Sequence, residues 1–421
     1  MMKSWNFLAV ALAVILVMSA CNNDTDSNNE KKNSSEQKKT SSKDKKDSNE
    51  SEKNTYSDID YPKDGVKGIY VTPDSASGEQ FDELIKFINE TELNALVIDV
   101  KDDSGNITMD FKSDNKLISS NTVDSVDVKK IIKEMEKNDI YPIARVVTFK
   151  DSNLAHQKPD WSFKTADGNV WENEGGDSFI NPFDDNVWNY NIEVAKEAAK
   201  AGFKEVQFDY VRFPEGFENK DAELQYSNGK YKGSDLNNIK QRVDTITEFL
   251  KTARKDLKSY DVKTSADVFG YAATVKETPG IGQSFPKIAE NVDVISSMVY
   301  PSHWGTGDFG LENPDTEPYK TIDSYLDKEK EALKDVDSEK VKSRPWLQDF
   351  TASYLGEGRY IDYNKEQVTA QIQALKDHGI DEFLLWDASG NYNKGVDYNP
   401  EKYSNPDAQK PNQQDNEKQE K

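Results

Sequence analysis

From about residue 61 to residue 399 the chain alternates short apolar runs with longer stretches whose apolar positions recur at helical spacing. The apolar or β-branched runs are Gly68–Thr72, Ala95–Lys101, Tyr141–Phe149, Glu205–Pro214, Lys263–Tyr271, Asp293–Trp304, Arg344–Phe350 and Glu382–Ser389. Helix-period stretches separate them: Glu79–Glu92, Asp124–Asn138, Asp184–Ala201, Ser234–Lys258, Gln283–Asn291, Pro318–Lys334 and Lys365–His378. Gly202 and Gly379 follow two of these stretches and Ser234 opens another, as helix stop and start signals do. Strands that alternate with helices imply crossover units and a parallel sheet. Eight such runs predict an α/β fold of the closed (β/α)8 TIM-barrel type. A doubly wound open sheet has fewer strands as a rule, and no Gly-rich phosphate loop follows the first run.

The two ends read differently from this 61–399 domain. Residues 1–21 have the form of an export signal, with Lys3 ahead of the apolar core Phe7 to Val17. The core ends in Met18-Ser19-Ala20-Cys21, which resembles the lipobox of bacterial lipoproteins and marks Cys21 for lipidation. Residues 22–60 hold almost nothing apolar beyond Tyr56 and Ile59. Such a composition cannot offset the entropy of ordering, so a disordered tether is expected there, and a disordered tail over 400–421. The expected location is the extracellular face of the cell membrane, reached through an N-terminal lipid anchor.

Composition narrows the function classes. Cys21 is the single cysteine, which excludes a disulfide framework and a thiolate nucleophile or metal site in the folded part. The net charge of −23 disfavours nucleic acid as a partner. His156, His303 and His378 form no HExxH or similar pair, so no metal site and no cofactor are expected. There is no GxSxG elbow for a serine esterase.

Acidic residues cluster at the ends of the apolar runs, which is where a barrel carries its chemistry. Alternation places Asp99 and Lys101 inward on the second run, Gln207 and Asp209 inward on the fourth with Arg212 curling over the rim, and Asp267 inward on the fifth. Asp349 and Asp387 end the seventh and eighth. Asp103, Asp308 and Asp381 read as ordinary loop or cap residues. Asp209 stands inside an apolar run, so its carboxylate must be paired or used, with Arg212 as the structural partner. Two carboxyl groups flanking a bond are what glycosidic cleavage requires. Aromatic residues near the same strand ends, among them Tyr300, Trp304, Trp346 and Trp386, offer flat faces to a sugar ring.

Several segments together resemble the bacterial "putative glycosyl hydrolase domain" family of exported proteins and lipoproteins. They are Gly68-Ile69-Tyr70-Val71-Thr72, Ala95 to Asp102, Phe208-Asp209-Tyr210-Val211-Arg212-Phe213-Pro214, Ser265 to Gly270, Met298 to Trp304 and Arg344 to Phe350. The likeness runs from about Gly65 to Asn393 and extends to α-galactosidase and α-amylase-like barrels. It implies a carboxylate nucleophile or base at Asp209. The general acid is implied less directly: the amylase pattern has Glu on the fifth strand, where this chain has Asp267, and the galactosidase acid of the sixth strand is replaced by Pro301-Ser302-His303-Trp304. The expectation is therefore a monomeric glycoside hydrolase of an extracellular or cell-wall polysaccharide. Asp209 and Asp267 are its catalytic pair, and Asp99, Lys101, Arg212, Tyr300, Trp304, Gln348, Asp349, Trp386 and Asp387 bind substrate. The alternative is a surface lipoprotein that binds carbohydrate without cleaving it.

Overall fold

The computed structural model describes residues 58–401. The expected export signal, Cys21, and most of the tether and tail lie outside the described residues. Eight parallel strands form the core: β1 (Lys67–Val71), β2 (Ala95–Lys101), β3 (Tyr141–Val147), β4 (Glu205–Asp209), β5 (Lys263–Phe269), β6 (Val294–Met298), β7 (Trp346–Gln348) and β8 (Phe383–Trp386). Each pairs with its neighbours in sequence, and β8 and β2 both pair with β1, so the sheet closes into a (β/α)8 barrel. Closure leaves no strand edge open.

Helices α1 (Gly78–Asn89), α2 (Val128–Lys137), α3 (Asp185–Ala201), α4 (Asn238–Leu257), α5 (Phe285–Ala289), α6 (Pro318–Leu333) and α7 (Lys365–Asp377) follow the first seven strands in turn. Their ends show why each begins and stops where it does. Asp127, not the stretch from Asp124, caps α2 by accepting from the Lys129 and Lys130 amides, and Thr122–Val126 is instead a short strand. Asn237, not Ser234, caps α4 by accepting from Lys240 N at 2.9 Å. Gly202 ends α3 at φ +114°, a conformation that costs glycine little. No helix among the described residues is long and apolar enough to cross a membrane.

Two features shape the barrel interior. At its N-terminal end Arg344 is fully buried and donates to Glu205 Oε1 at 2.8 Å, Glu382 Oε2 at 2.9 Å and Tyr61 OH at 2.9 Å. Lys342 completes the charge balance with a 2.6 Å bond to Glu382. This network, with Arg344 and Glu205 buried at its centre, plugs the bottom. At the other end β2 carries a bulge: Asp99 pairs with Arg145, but Lys101 pairs with Val146. The extra residue switches Lys101 to the outer face. There its amine meets Asp151 at 2.8 Å, Asn191 Oδ1 at 3.0 Å and the Val147 carbonyl at 2.9 Å. The inward position expected for Lys101 is thereby corrected.

Replacing Arg344 with Met strands two buried carboxylates without their guanidinium. Arg344→Met is expected to lower the unfolding free energy by about 3–5 kcal/mol, read from urea unfolding; a loss below about 1 kcal/mol would show that the plug is dispensable.

Candidate active site

The C-terminal mouth is organised around a guanidinium. Arg145, inward on β3 and 2% exposed, donates through Nη1 to Asp99 Oδ1 at 2.7 Å. Its Nε and Nη2 both reach Asp209 Oδ2, at 2.9 and 2.6 Å. Nη2 also reaches Asp103 Oδ1 at 3.1 Å. Asp99 receives a second bond from Tyr70 OH at 2.7 Å. Burial pushes its carboxyl up to about 6 even though Arg145 opposes the shift. Burial also works against ionisation of Asp103, but the Arg145 and Lys150 charges prevail and hold that carboxyl below its usual range.

The strand ends aim these groups. β4 stops at Asp209 because Tyr210 adopts φ +47°, an uncommon conformation for a bulky residue. The Thr148 amide bonding the Asp209 carbonyl at 2.8 Å and Phe149 N bonding the Tyr210 carbonyl at 3.2 Å hold that turn in place. The turn also points Tyr210 N at Asp209 Oδ1, 2.6 Å away. All three hydrogen bonds to the Asp209 carboxyl thus come from Arg145 or from its own neighbour.

Asp267 is the contrast. Phe208 is in register with Ala266, so Asp209 and Asp267 stand one step further along adjacent strands, roughly 5 Å apart at the backbone. Asp267 is 2% exposed and accepts one hydrogen bond, from Trp346 Nε1 at 2.8 Å. Burial and then the Asp209 charge push its carboxyl well above the usual range. One acid is clamped by a cation; its neighbour is not.

Aromatic side chains wall the cluster. Trp386 stacks on Tyr70 at 4.2 Å and meets Trp346 edge-on at 5.7 Å, and Arg145 lies over both Tyr70 and Trp386. Tyr300 is buried, with His303 and Phe350 against its ring edges, and burial followed by the Asp267 and Asp209 charges keeps its phenol neutral.

The remaining expected residues divide. Arg212 is buried but does not pair with Asp209; it stacks on Tyr210 at 4.8 Å and Phe269 at 4.7 Å and bonds Glu215 at 3.1 Å. Gln348 is enclosed: its amide bonds Asp315, the Phe350 carbonyl and Ser302 N, which leaves no group for a sugar hydroxyl. Trp304 turns towards Phe309 and Tyr325, on the helix side. Asp387 accepts from the Ser389 amide at 2.6 Å in a tight turn, and Asp349 is held by Asn393. Asp103 belongs to the Arg145 cluster rather than to an ordinary loop, whereas Asp308 caps a turn and Asp381 pairs with Lys376. Sequence reasoning missed Arg145, although the signal used for Asp209 applies to it: a charged residue inside the apolar run Tyr141–Phe149. Among the described residues, no group of His, Cys, Asp or Glu is arranged to hold a metal ion.

A family model described as "Putative glycosyl hydrolase domain" matches residues 68–392. The chain belongs to that family. Its members' description and the barrel mouth above agree on a glycosidase-type domain. No curated protein matches the chain. Among solved structures, the PgaB (BpsB) glycoside hydrolase domain from Bordetella bronchiseptica is 14% identical over 77% of this chain and 94% of its own, with a TM-score of 0.57. A hypothetical protein from Ruminiclostridium thermocellum ATCC 27405 is 32% identical over 48% of this chain and 97% of its own, with a TM-score of 0.41. The spore cortex-lytic enzyme SleL of Bacillus megaterium QM B1551 is 12% identical over 78% of this chain and 71% of its own, with a TM-score of 0.44. The first of these shares the barrel fold.

Burial raises the Asp349 carboxyl from 3.8 to about 7, against the hydrogen bonds from Asn393. The folded protein therefore binds this proton more tightly than the unfolded chain does. The resulting stability is complete below about pH 4 and is lost as pH rises through about 7. At about 1.4 kcal/mol per unit, the loss is up to about 4 kcal/mol. Urea unfolding near pH 4 and near pH 8 is expected to show a smaller decline for Asp349→Asn than for the wild type; equal declines would contradict this assignment.

Proposed function

We propose that the protein hydrolyses O-glycosidic bonds of an extracellular or cell-wall polysaccharide, with Asp209 and Asp267 as its carboxyl pair. One observation carries the reading: two register-adjacent acids at the barrel mouth sit in opposite electrostatic settings. Glycoside cleavage needs this division between a protonated and an ionised carboxyl.

Asp267, which keeps its proton, gives it to the glycosidic oxygen. The bond from that oxygen to the anomeric carbon breaks, and its electron pair stays with the departing hydroxyl. The Asp209 carboxylate supplies electrons to the other side, either by bonding the anomeric carbon or by taking a proton from an attacking water. Net addition of water gives two hydroxyl-ended products. Arg145 binds and orients Asp209, while Asp99, itself bonded by Tyr70, holds Arg145 in place. Trp386 and Tyr300 form flat walls against which a pyranose face can pack, and Arg212 borders the mouth. Lys101 and Gln348 act through the fold rather than on the sugar.

The segment Met18-Ser19-Ala20-Cys21 supports attachment of Cys21 to lipid, and thus a position on the outer face of the cell membrane, beside such a substrate.

Release of reducing ends from bacterial cell-wall glycans and soluble polysaccharides tests the assignment. Asp209→Asn and Asp267→Asn are each expected to lower turnover by about 10²–10⁴-fold with circular dichroism unchanged. Wild-type rates in Asp209→Asn would sink the proposal, and glycan binding without any product from the wild type would identify a binding protein instead.

A further inference from the structure

We propose that Trp346 is a positioning residue that decides which oxygen of Asp267 carries the proton, so that Oδ2 is the donating atom. This rests on the reading of Asp267 as the general acid. Trp346 opens β7 with its side chain inside the barrel, in register with Met298 on β6 and Leu384 on β8, and is 1% exposed. An indole N–H can only donate. Its 2.8 Å bond goes to Oδ1, and because the carbonyl oxygen of a carboxylic acid is a stronger acceptor than its hydroxyl oxygen, the bond favours the carboxyl proton on Oδ2.

The indole is buried among side chains that are themselves held. Its edge-on contact with Trp386 leads to the stacked Tyr70 ring, whose hydroxyl is tied to Asp99. Arg145 lies 5.5 Å from the Trp386 ring centre and 5.7 Å from that of Tyr70 while it binds Asp209. One continuous set of contacts thus joins Asp267 to Asp209. When Asp267 gives up its proton, the bond from Trp346 becomes charge-assisted and strengthens, so the indole stabilises the acid after transfer as well as orienting it before. The charged and titratable groups that face Asp267 are Asp209 and Glu205 from β4, Arg145 from β3 and Tyr300 beyond β6. Trp346 is the donor among them.

The test uses the full chain labelled with nitrogen-15 in its indoles, without substrate. Of the seven tryptophans, one N–H resonance is expected to move with pH in the wild type and to stop moving in Asp267→Asn. In Trp346→Phe the same resonance disappears, and the Asp267 carboxyl, followed by carbon-13, is expected to titrate about one pH unit higher, a tenfold weaker acid. If Trp346→Phe does not fold, the wild-type and Asp267→Asn titrations decide. No indole that responds to Asp267, or an unchanged Asp267 midpoint in Trp346→Phe, overturns the proposal. An intact indole titration together with full hydrolysis by Asp267→Asn overturns the acid assignment, and the positioning role with it, while the hydrogen bond stands; the two failures are thus distinct.

Discussion

A single buried guanidinium sets the electrostatics of this barrel. Asp99, Asp103 and Asp209 all bond to Arg145, and Asp267 stands beside Asp209 with no cation of its own. Lys150 adds one more positive charge at the edge, near Asp103. Four acids cannot all ionise in a confined site of low dielectric against so little positive charge. Protons remain where no cation compensates them, and the geometry of Arg145 decides where that is. The contrast between a carboxyl bound by a guanidinium and one without a cation follows from where Arg145 reaches, not from any special property of either aspartate.

The opposite end of the barrel shows what a different balance does. Arg344 binds Glu205, Glu382 and Tyr61, and Lys342 binds Glu382 from the exposed side. Opposite charges nearly match there, so the network plugs the floor and has no chemistry to offer. The mouth has an excess of acid and a floor has none to spare. The aromatic wall of Tyr70, Trp346 and Trp386 packs beside the buried Arg145, Asp99 and Asp267, and burial strengthens the field that each of these groups exerts on the next.

Much of this was legible in the sequence because a barrel strand is short and its interior alternates. The eight apolar runs correspond to the eight strands, and Asp99, Asp209 and Asp267 fall in the inward register expected of them. Alternation failed where the backbone is irregular. The bulge in β2 turned Lys101 outward, and the left-handed Tyr210 ended β4 five residues before Pro214, which carried Arg212 away from Asp209. Gln348 looked available from its place at a strand end, yet loop residues Ser302 and Asp315 occupy its amide.

The sequence by itself determined which residues are apolar, how they are spaced, and hence the strands, the helices and the closed parallel barrel that such spacing requires. It also supplied the acids, because a carboxylate inside an apolar run must be accommodated. Partnership was decided by tertiary structure alone. Asp209 had Arg212 three residues away and took Arg145, 64 positions distant, while Asp267 took Trp346, 79 positions distant. The physical reason is that ring closure and local turns, not distance along the chain, set which charges share a desolvated space.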